Sequence, residues 1–231
     1  MSTDPTPRKP ADPTDAAAKS RREAPSDGLC IIGLVGRAGS GKSTVARALV
    51  ARGAVVMDAD RIGHLITDTD PEVRQGLIAE YGPQVYRTSG VLDRSQVAAR
   101  VFQDAAALQR LNLLVHPRIL SHLRTSLDAL RERGARGPVV IDAALMIDWG
   151  FERECDALWA VVAPESLQIG RLVGGRGLTE TDARARLSRQ RSNAEFAASA
   201  DEVLVNDGSE SQLEALAKAA LTRALETRGL S

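Results

Sequence analysis

The sequence lacks the features that mark several protein classes. It has only two cysteines, Cys30 and Cys155, and no C-x-x-C or cysteine–histidine spacing, so we expect reduced thiols rather than a disulfide framework or a zinc site. Thirty basic and thirty acidic side chains leave no net charge, which excludes the overall positive field that draws proteins to nucleic acid or to anionic membranes. No run approaches the roughly 18 uncharged apolar residues of a membrane span. These absences predict a cytoplasmic protein with neither nucleic acid nor a membrane as a partner.

The first 28 residues differ in composition from the rest. They contain five of the ten prolines and no Ile, Val, Leu or Phe, so they cannot bury enough apolar surface to offset chain entropy. We therefore predict a disordered tail over residues 1–28. A transit peptide is the alternative, but five acidic residues in this segment count against it. Residues 29–231 contain no internal repeat and are predicted to form one domain.

Short apolar runs without alternation predict strands that are buried on both faces, as in a parallel sheet. Helical spacing of apolar residues separates most of these runs, which is typical of an α/β doubly wound fold. The predicted strands are residues 30–35, 54–57, 139–141, 158–162 and 203–205.

Two segments interrupt this alternation. Residues 62–135 predict a helical insertion between the second and third strands, with helices over residues 71–81, 94–102, 105–114 and 117–133. Residues 170–191 are predicted to be irregular and hold six arginines against two acidic residues. A solvated helix is the ordinary interpretation of such a run, because most charged faces are only solvated. Phosphate binding is the alternative.

The strongest chemical signal is the run from Gly36 to Ser43, G-R-A-G-S-G-K-S, which satisfies G-x-x-x-x-G-K-[ST]. In this pattern the glycines let the backbone wrap a phosphate, the lysine reaches the β- and γ-phosphates and the hydroxyl ligates Mg²⁺. A predicted strand precedes the run, and a helix predicted over residues 43–52 follows it. Lys42 is the only lysine between residues 20 and 217, as expected where a compact ammonium is needed. We predict a nucleoside triphosphate site with Mg²⁺.

Other signals select among the nucleotide-binding classes. No N-K-x-D motif follows for guanine recognition, and the D-x-x-G at residues 60–63 comes too soon after the second strand to be a GTPase switch. A motor or a DNA-acting ATPase would need a longer chain or a basic face. A small-molecule kinase needs a second pocket, elements that exclude water and cations over the transferred phosphoryl group. The helical insertion and the arginine-rich segment are candidates for these parts.

Asp58 and Asp60 stand at the end of the second predicted strand. The carboxyl ends of parallel strands face the ligand crevice, so these carboxylates are expected near the phosphate-binding loop. One of them can accept the proton of an acceptor hydroxyl. The alternative is that Asp60 caps the next helix, and spacing does not separate the two.

The sequence resembles the dephospho-CoA kinase family, which implies ATP-dependent phosphorylation of the ribose 3′-hydroxyl of dephospho-CoA, the last step of coenzyme A synthesis. It also implies an α/β, three-layer P-loop NTPase fold with a mainly parallel five-stranded sheet, a helical substrate-binding insertion and an Arg-rich lid. The resemblance covers about residues 31–225 and rests on the segments 33–36, 56–60, 90–94, 101–102, 116–117 and 200–208, with Gln168, Arg171, Arg176 and Gln190.

The resemblance also implies site residues and a division of the chain. Asp60 is implied as the base, with Lys42 and Arg171 completing the catalytic set. The implied ATP-binding residues are Gly36, Gly39, Ser40, Gly41, Lys42, Ser43, Thr44, Arg171 and Arg176, and the implied substrate-binding residues are Asp60, His64, Arg94, His116 and Leu145. The implied parts are a core (29–61, 136–169 and 192–231), a CoA-binding insertion (62–135) and a lid (170–191).

Two further residues have interpretations of their own. Asp142 ends an apolar strand and is therefore the natural acid for a Mg²⁺-bound water, beside the Ser43 hydroxyl as a direct ligand. His116, which precedes Pro117, has an alternative interpretation as a turn residue that caps a helix starting at the proline.

One segment departs from the family pattern. Where the family usually has Asp-x-Pro-Leu-Leu-Phe-Glu, residues 142–148 are D-A-A-L-M-I-D, so the proline becomes Ala144, the aromatic becomes Ile147 and the acid becomes the shorter Asp148. This change bears on contacts with the acceptor. Two other functions stay open: another small-molecule or nucleotide kinase, and a nucleotide-binding regulator without phosphotransfer. The sequence predicts no oligomeric state.

Overall fold

The structure is a computed structural model that describes residues 28–230, apart from the side chains of Phe102, Gln103, Ala105 and Arg176. The predicted tail over residues 1–28 lies outside the described residues except for Gly28. Cys30 and Cys155 are both buried, and no disulfide joins them within the described residues. Among the helices within residues 28–230, none combines the length and the apolar character that a membrane crossing requires.

A five-stranded parallel sheet forms the centre, with the strand order β2-β3-β1-β4-β5. Each of the five predicted strands is confirmed, with bounds shifted by one or two residues. Every residue of β1 is buried, which explains why its sequence is apolar without alternation. The strands are β1 (Leu29–Val35), β2 (Val55–Asp58), β3 (Gly137–Asp142), β4 (Ala157–Val162) and β5 (Glu202–Val205).

Ten helices are described within residues 28–230. They are α1 (Lys42–Val50), α2 (Ala59–Thr69), α3 (Pro71–Tyr81), α4 (Arg94–Gln103), α5 (Ala105–Glu132), α6 (Met146–Trp149), α7 (Glu165–Arg176), α8 (Glu180–Ser188), α9 (Asn193–Ser199) and α10 (Glu210–Thr227), with 3₁₀ turns at Pro83–Val85 and Phe151–Glu154.

Two apolar clusters cover the two faces of the sheet. On β1, Ile31 and Val35 face a cluster that includes side chains of the predicted insertion, whereas Ile32 and Leu34 face α1 and α10. The alternation along one strand thus divides the core into two layers around the sheet. The three-layer α/β fold is confirmed.

The structure corrects the prediction of separate helices over residues 105–114 and 117–133. One helix, α5, runs from Ala105 to Glu132 with Pro117 inside it. Proline removes a backbone donor and costs about 3 kcal/mol in a helix interior. Burial of apolar side chains at intervals of four residues on both sides of the proline outweighs that cost. The buried stripe consists of Val115, Ile119, Leu123 and Leu127.

The prediction of an irregular segment over residues 170–191 is wrong for most of that segment. Residues 170–176 belong to α7, and residues 180–188 form α8. Four glycines lower the intrinsic helix propensity of this stretch. However, the two helices bury Ile169 and Leu172 against Ala183 and Leu187, and tertiary packing decides the conformation.

Candidate active site

The phosphate-binding loop, residues 36–43, connects the central strand β1 to α1. Gly39 and Gly41 have φ angles of 74° and 108°, which residues with a side chain rarely adopt. A Cβ atom at Gly41 would lie 2.3 Å from Asn206 Nδ2, and one at Gly39 would lie 2.7 Å from the Gln168 carbonyl oxygen. Glycine is therefore required here for both conformation and space. No side chain caps the N-terminus of α1, so its first turn can receive an anion.

Lys42 lies between the loop and the end of β3. Its Nζ donates to the Gly36 carbonyl at 3.2 Å and is 3.9 Å from Asp142 Oδ1. Asp142 is aligned with Leu34 of β1 and with Asp58 of β2 in the sheet register. Parallel pairing thus brings three distant segments to one sheet edge, as the sequence predicted for this crevice. Ser43 is exposed at the start of α1.

Asp142 has unusual electrostatics. Burial raises its pKa to about 6, with the negative charges of Asp58 and Asp60 acting in the same direction and the Lys42 ammonium opposing them. Carboxylates that repel one another around an ammonium form a place where added positive charge is stabilised. Within residues 28–230, no cluster of three or more His, Cys, Asp and Glu side chains could hold a metal ion.

Arg171 contacts the loop itself. Its guanidinium donates to the Gly39 carbonyl at 3.0 Å and to Asn206 Oδ1 at 3.2 Å. Asn206 in turn donates to the Ser40 carbonyl at 2.7 Å and is buried. The structure therefore brings Arg171 to the phosphate-binding loop. Arg176 ends α7, and its side chain lies outside the description.

The loop is also braced by α7 and α8, a feature that the sequence did not predict. Arg37 is buried and donates to Glu165 Oε2 at 2.9 Å and to the Leu187 carbonyl at 2.8 Å. The N–H of Ala38 donates to Gln190 Oε1 at 2.8 Å. Arg37 occupies a variable position of the loop pattern, so the motif gave no signal for its role.

Asp58 and Asp60 have different positions at the start of α2. Asp58 is the N-cap residue, and its Oδ1 accepts from the Arg61 N–H at 3.1 Å. The interpretation of Asp60 as the cap is therefore wrong, because the residue two positions earlier makes that bond. Asp60 is exposed in the first turn of α2 and lines a cavity.

That cavity, of about 320 Å³, lies between the predicted insertion and the segment after β3. It is mainly apolar, as ligand pockets usually are. Residues from α2, α4, α5 and the turn before α6 meet there although they are far apart in sequence. The structure places all five predicted substrate-binding residues on its wall: Asp60, His64, Arg94, His116 and Leu145. We call it the acceptor cavity.

Arg94 is held rigidly at the cavity wall. Its guanidinium donates to Asp68 Oδ2 at 2.9 Å, to Thr67 Oγ1 at 3.1 Å and to the His64 carbonyl at 3.0 Å. Burial alone would raise the pKa of Asp68, but the Leu92 N–H and the Arg94 guanidinium outweigh burial and lower this pKa. The anchored cation can thus face an anionic ligand without reorganising.

His116 lies in the middle of α5, not at a helix start, so its interpretation as a capping turn residue is wrong. Its Nδ1 accepts a hydrogen bond from Trp149 Nε1 at 3.0 Å. Trp149 also lines the acceptor cavity, and sequence reasoning missed it because the pairing joins two distant elements.

The segment that departs from the family pattern forms part of the cavity wall. Ala144 and Leu145 line the cavity, whereas Met146 is buried beneath them. Asp148, the shortened acid, accepts from Arg191 at 2.6 Å. The segment therefore joins the acceptor cavity to the C-terminal end of the predicted lid.

The family model and the relatives in sequence name one family. A family model described as dephospho-CoA kinase matches residues 30–212. A dephospho-CoA kinase from Deinococcus radiodurans is 42% identical over 82% of this chain and 90% of the relative. One from Thermobifida fusca is 36% identical over 80% of this chain and 90% of the relative. The crystal structure of TT1252 from Thermus thermophilus is 31% identical with a TM-score of 0.72, covering 84% of this chain and 97% of that one.

Proposed function

This chain belongs to the dephospho-CoA kinase family, and we propose on that basis that it transfers the γ-phosphoryl group of ATP to the ribose 3′-hydroxyl of dephospho-CoA. The products are ADP and coenzyme A, so the reaction completes coenzyme A biosynthesis. One observation carries the assignment of the site: Asp60, on the wall of the acceptor cavity, follows by two residues Asp58, which is aligned with Asp142 in the sheet register, and Asp142 is 3.9 Å from Lys42 of the phosphate-binding loop.

The phosphate-binding loop is the proposed ATP site. Lys42 would contact the β- and γ-phosphates, and backbone N–H groups from Gly39 to Thr44 would wrap the phosphate chain at the N-terminus of α1. Gly36 gives the loop its turn, with a φ of 148°. Arg171 donates to the Gly39 carbonyl at the loop, and we propose that its guanidinium turns to the transferred group when ATP binds. Arg176 is the second proposed lid cation.

The residues at the edge of the sheet fit Mg²⁺. We propose that Ser43 binds it directly and Asp142 through water, a sparse protein ligand set that suits a metal held largely by phosphates and water. The raised pKa of Asp142 supports this, because the buried carboxyl and its two acidic neighbours are short of positive charge. Bound Mg²⁺ would supply charge neutralisation on the β- and γ-phosphates.

Asp60 is the proposed general base. The 3′-hydroxyl oxygen forms a bond to the γ-phosphorus, the bond from that phosphorus to the β–γ bridging oxygen breaks, and the hydroxyl proton passes to Asp60. Its freedom from a capping role supports this assignment, because Asp58 makes the cap. His64, Arg94, His116 and Leu145 are the proposed acceptor contacts.

The predicted insertion and the predicted lid are the parts of the chain that would close the site. We propose that residues 62–135 bind the acceptor and that residues 170–191 form the lid that excludes water. The contacts of Arg37 with the Leu187 carbonyl and of Ala38 with Gln190 support this, since they connect the loop to residues of the predicted lid. We also propose a cytoplasmic location, in keeping with two cysteines that no disulfide joins within residues 28–230.

The test is ADP release by the purified protein with Mg-ATP and each of several acceptors. The arms are no acceptor, dephospho-CoA, AMP, CMP and shikimate at matched concentrations. We expect stimulation by dephospho-CoA alone and a product that carries a new 3′-phosphate. Stimulation by another acceptor would identify a different kinase. ATP binding without any stimulation would identify a regulator.

A further inference from the structure

Trp149 and His116 form a hydrogen-bonded pair on the wall of the acceptor cavity. The indole Nε1–H donates to His116 Nδ1 at 3.0 Å, and the ring centroids are 5.1 Å apart with the planes tilted by 56°. Trp149 ends α6 and directly follows the segment 142–148 that departs from the family pattern, and His116 is in the middle of α5. The pair therefore joins the end of α6 to the predicted insertion.

Hydrogen-bond chemistry decides where His116 carries its proton. An indole N–H can only donate, so Nδ1 must present a lone pair. A neutral imidazole whose Nδ1 accepts has its proton on Nε2. Burial lowers the pKa of His116, with the negative charge of Asp148 opposing, so the neutral form is favoured.

The other ring nitrogen of His116 is available to a ligand. His116 lines the acceptor cavity. Within residues 28–230, Nε2 has no hydrogen-bond partner, yet it is not among the fully buried polar atoms that lack one. His116 also lines a second cavity beside Pro117 and Arg124. The Nε2–H group is therefore an accessible donor on a residue that both cavities share, and in a mainly apolar wall a single polar group can fix the orientation of a ligand.

We propose that Trp149 is a positioning residue for the acceptor: its indole N–H holds His116 as the Nε2–H tautomer, and this tautomer donates an uncharged hydrogen bond to an oxygen or nitrogen atom of dephospho-CoA. The inference rests on the proposed function and deepens it. It assigns to Trp149 a role in acceptor recognition without any contact with the transferred phosphoryl group.

The kinetic test uses Trp149→Phe, which keeps an aromatic ring but removes the donor. We expect the KM for dephospho-CoA to rise about threefold to tenfold, the range of one hydrogen bond, with little change in kcat or in the KM for ATP. Trp159→Phe is the matched control, because it removes the other indole of the chain from β4, in the core cluster on the opposite face of the sheet. That variant should leave the KM for dephospho-CoA unchanged.

A double-mutant cycle tests whether Trp149 acts through His116. In His116→Phe, which has no donor, adding Trp149→Phe should change the KM no further. His116→Gln keeps an N–H donor near the position of Nε2, so it should raise the KM less than His116→Phe. Additive effects of the two Phe substitutions would show that Trp149 does not act through His116 and would overturn the proposal.

NMR spectroscopy tests the tautomer of His116 in the wild-type protein itself. A variant is needed only to assign the signal. Long-range ¹H–¹⁵N NMR spectra of the wild-type protein should show His116 as the Nε2–H tautomer, with the signal assigned by its loss in His116→Gln. A proton on Nδ1, or on both nitrogens, at neutral pH would overturn the proposal. Trp149→Phe should produce a mixture of tautomers.

The outcomes separate this inference from the proposed function. Absence of dephospho-CoA-dependent ADP release by the wild-type protein would refute the proposed function and this inference with it. Normal wild-type activity with an unchanged KM for dephospho-CoA in Trp149→Phe would refute the inference alone.

Discussion

Replacing Gly41 by alanine should destabilise the protein more than the same change at another glycine with positive φ. Gly41 has a φ of 108°, and its Cβ would lie 2.3 Å from Asn206 Nδ2 and 2.9 Å from Leu213 Cδ2. Gly53 has a φ of 85°, but its Cβ would meet nothing within 4 Å. The two substitutions thus share backbone strain and differ in steric contact.

The magnitudes follow from these contacts. Backbone strain costs about 1–2 kcal/mol, and we expect this alone from Gly53→Ala. Gly41→Ala must also displace the Asn206 side chain, which donates to the Ser40 carbonyl and accepts from Arg171. Loss of these bonds adds about 1–2 kcal/mol, for a total of about 2–4 kcal/mol. Displacement of the loop should also lower kcat/KM for ATP at least about tenfold.

Urea unfolding of the wild-type protein and both variants measures the free-energy differences, and ADP release measures the activity. Gly53→Ala should keep the activity of the wild-type protein, because Gly53 follows the far end of α1. If the two variants lost stability equally, within about 0.5 kcal/mol, the steric argument for Asn206 would be wrong.

Three further predictions concern charged groups. Lys42→Ala should lower kcat/KM more than about tenfold, and a smaller loss in steady-state kinetics would argue against its phosphate contact. Asp60→Asn should lower kcat about a hundredfold or more while circular dichroism shows a normal fold; near-normal kcat would exclude a base. For Asp142 the folded pKa, about 6, is above the ordinary 3.8, so the native state binds more protons between these values. At a pH below 3.8 the protonated Asp142 carboxyl therefore contributes its full stabilisation of the folded state. This stabilisation is lost as the pH rises from 3.8 to about 6. Unfolding from pH 4 to pH 6 without Mg²⁺ should show that loss in the wild-type protein and less of it in Asp142→Asn.

Local sequence signals predicted the elements that depend on local chemistry. The five strands are short apolar runs, and the glycines of the phosphate-binding loop predict a backbone that can wrap an anion. The resemblance to a family supplied the five cavity residues, which are spread from Asp60 to Leu145 and which no local pattern connects.

The remaining features arise from pairings between distant segments. The guanidinium of Arg37 is held by Glu165 and by the Leu187 carbonyl, and both acceptors are far along the chain. Pro117 locally predicts the start of a new helix, but tertiary burial along α5 keeps one continuous helix through it. The cap at Asp58 rather than Asp60 depends on a difference of two residues, which is within the usual uncertainty of a helix boundary.

The strand order has a consequence for synthesis on the ribosome. The central strand β1 is made first, but both of its neighbours, β3 and β4, are made about a hundred residues or more later. During that interval a wholly apolar strand has unpaired edges, which is the condition that favours aggregation or chaperone binding. Both edges of β1, the strand that carries the phosphate-binding loop, can be paired only after Val162 at the end of β4 has left the ribosome. The protein should therefore become able to bind a nucleotide only late in translation.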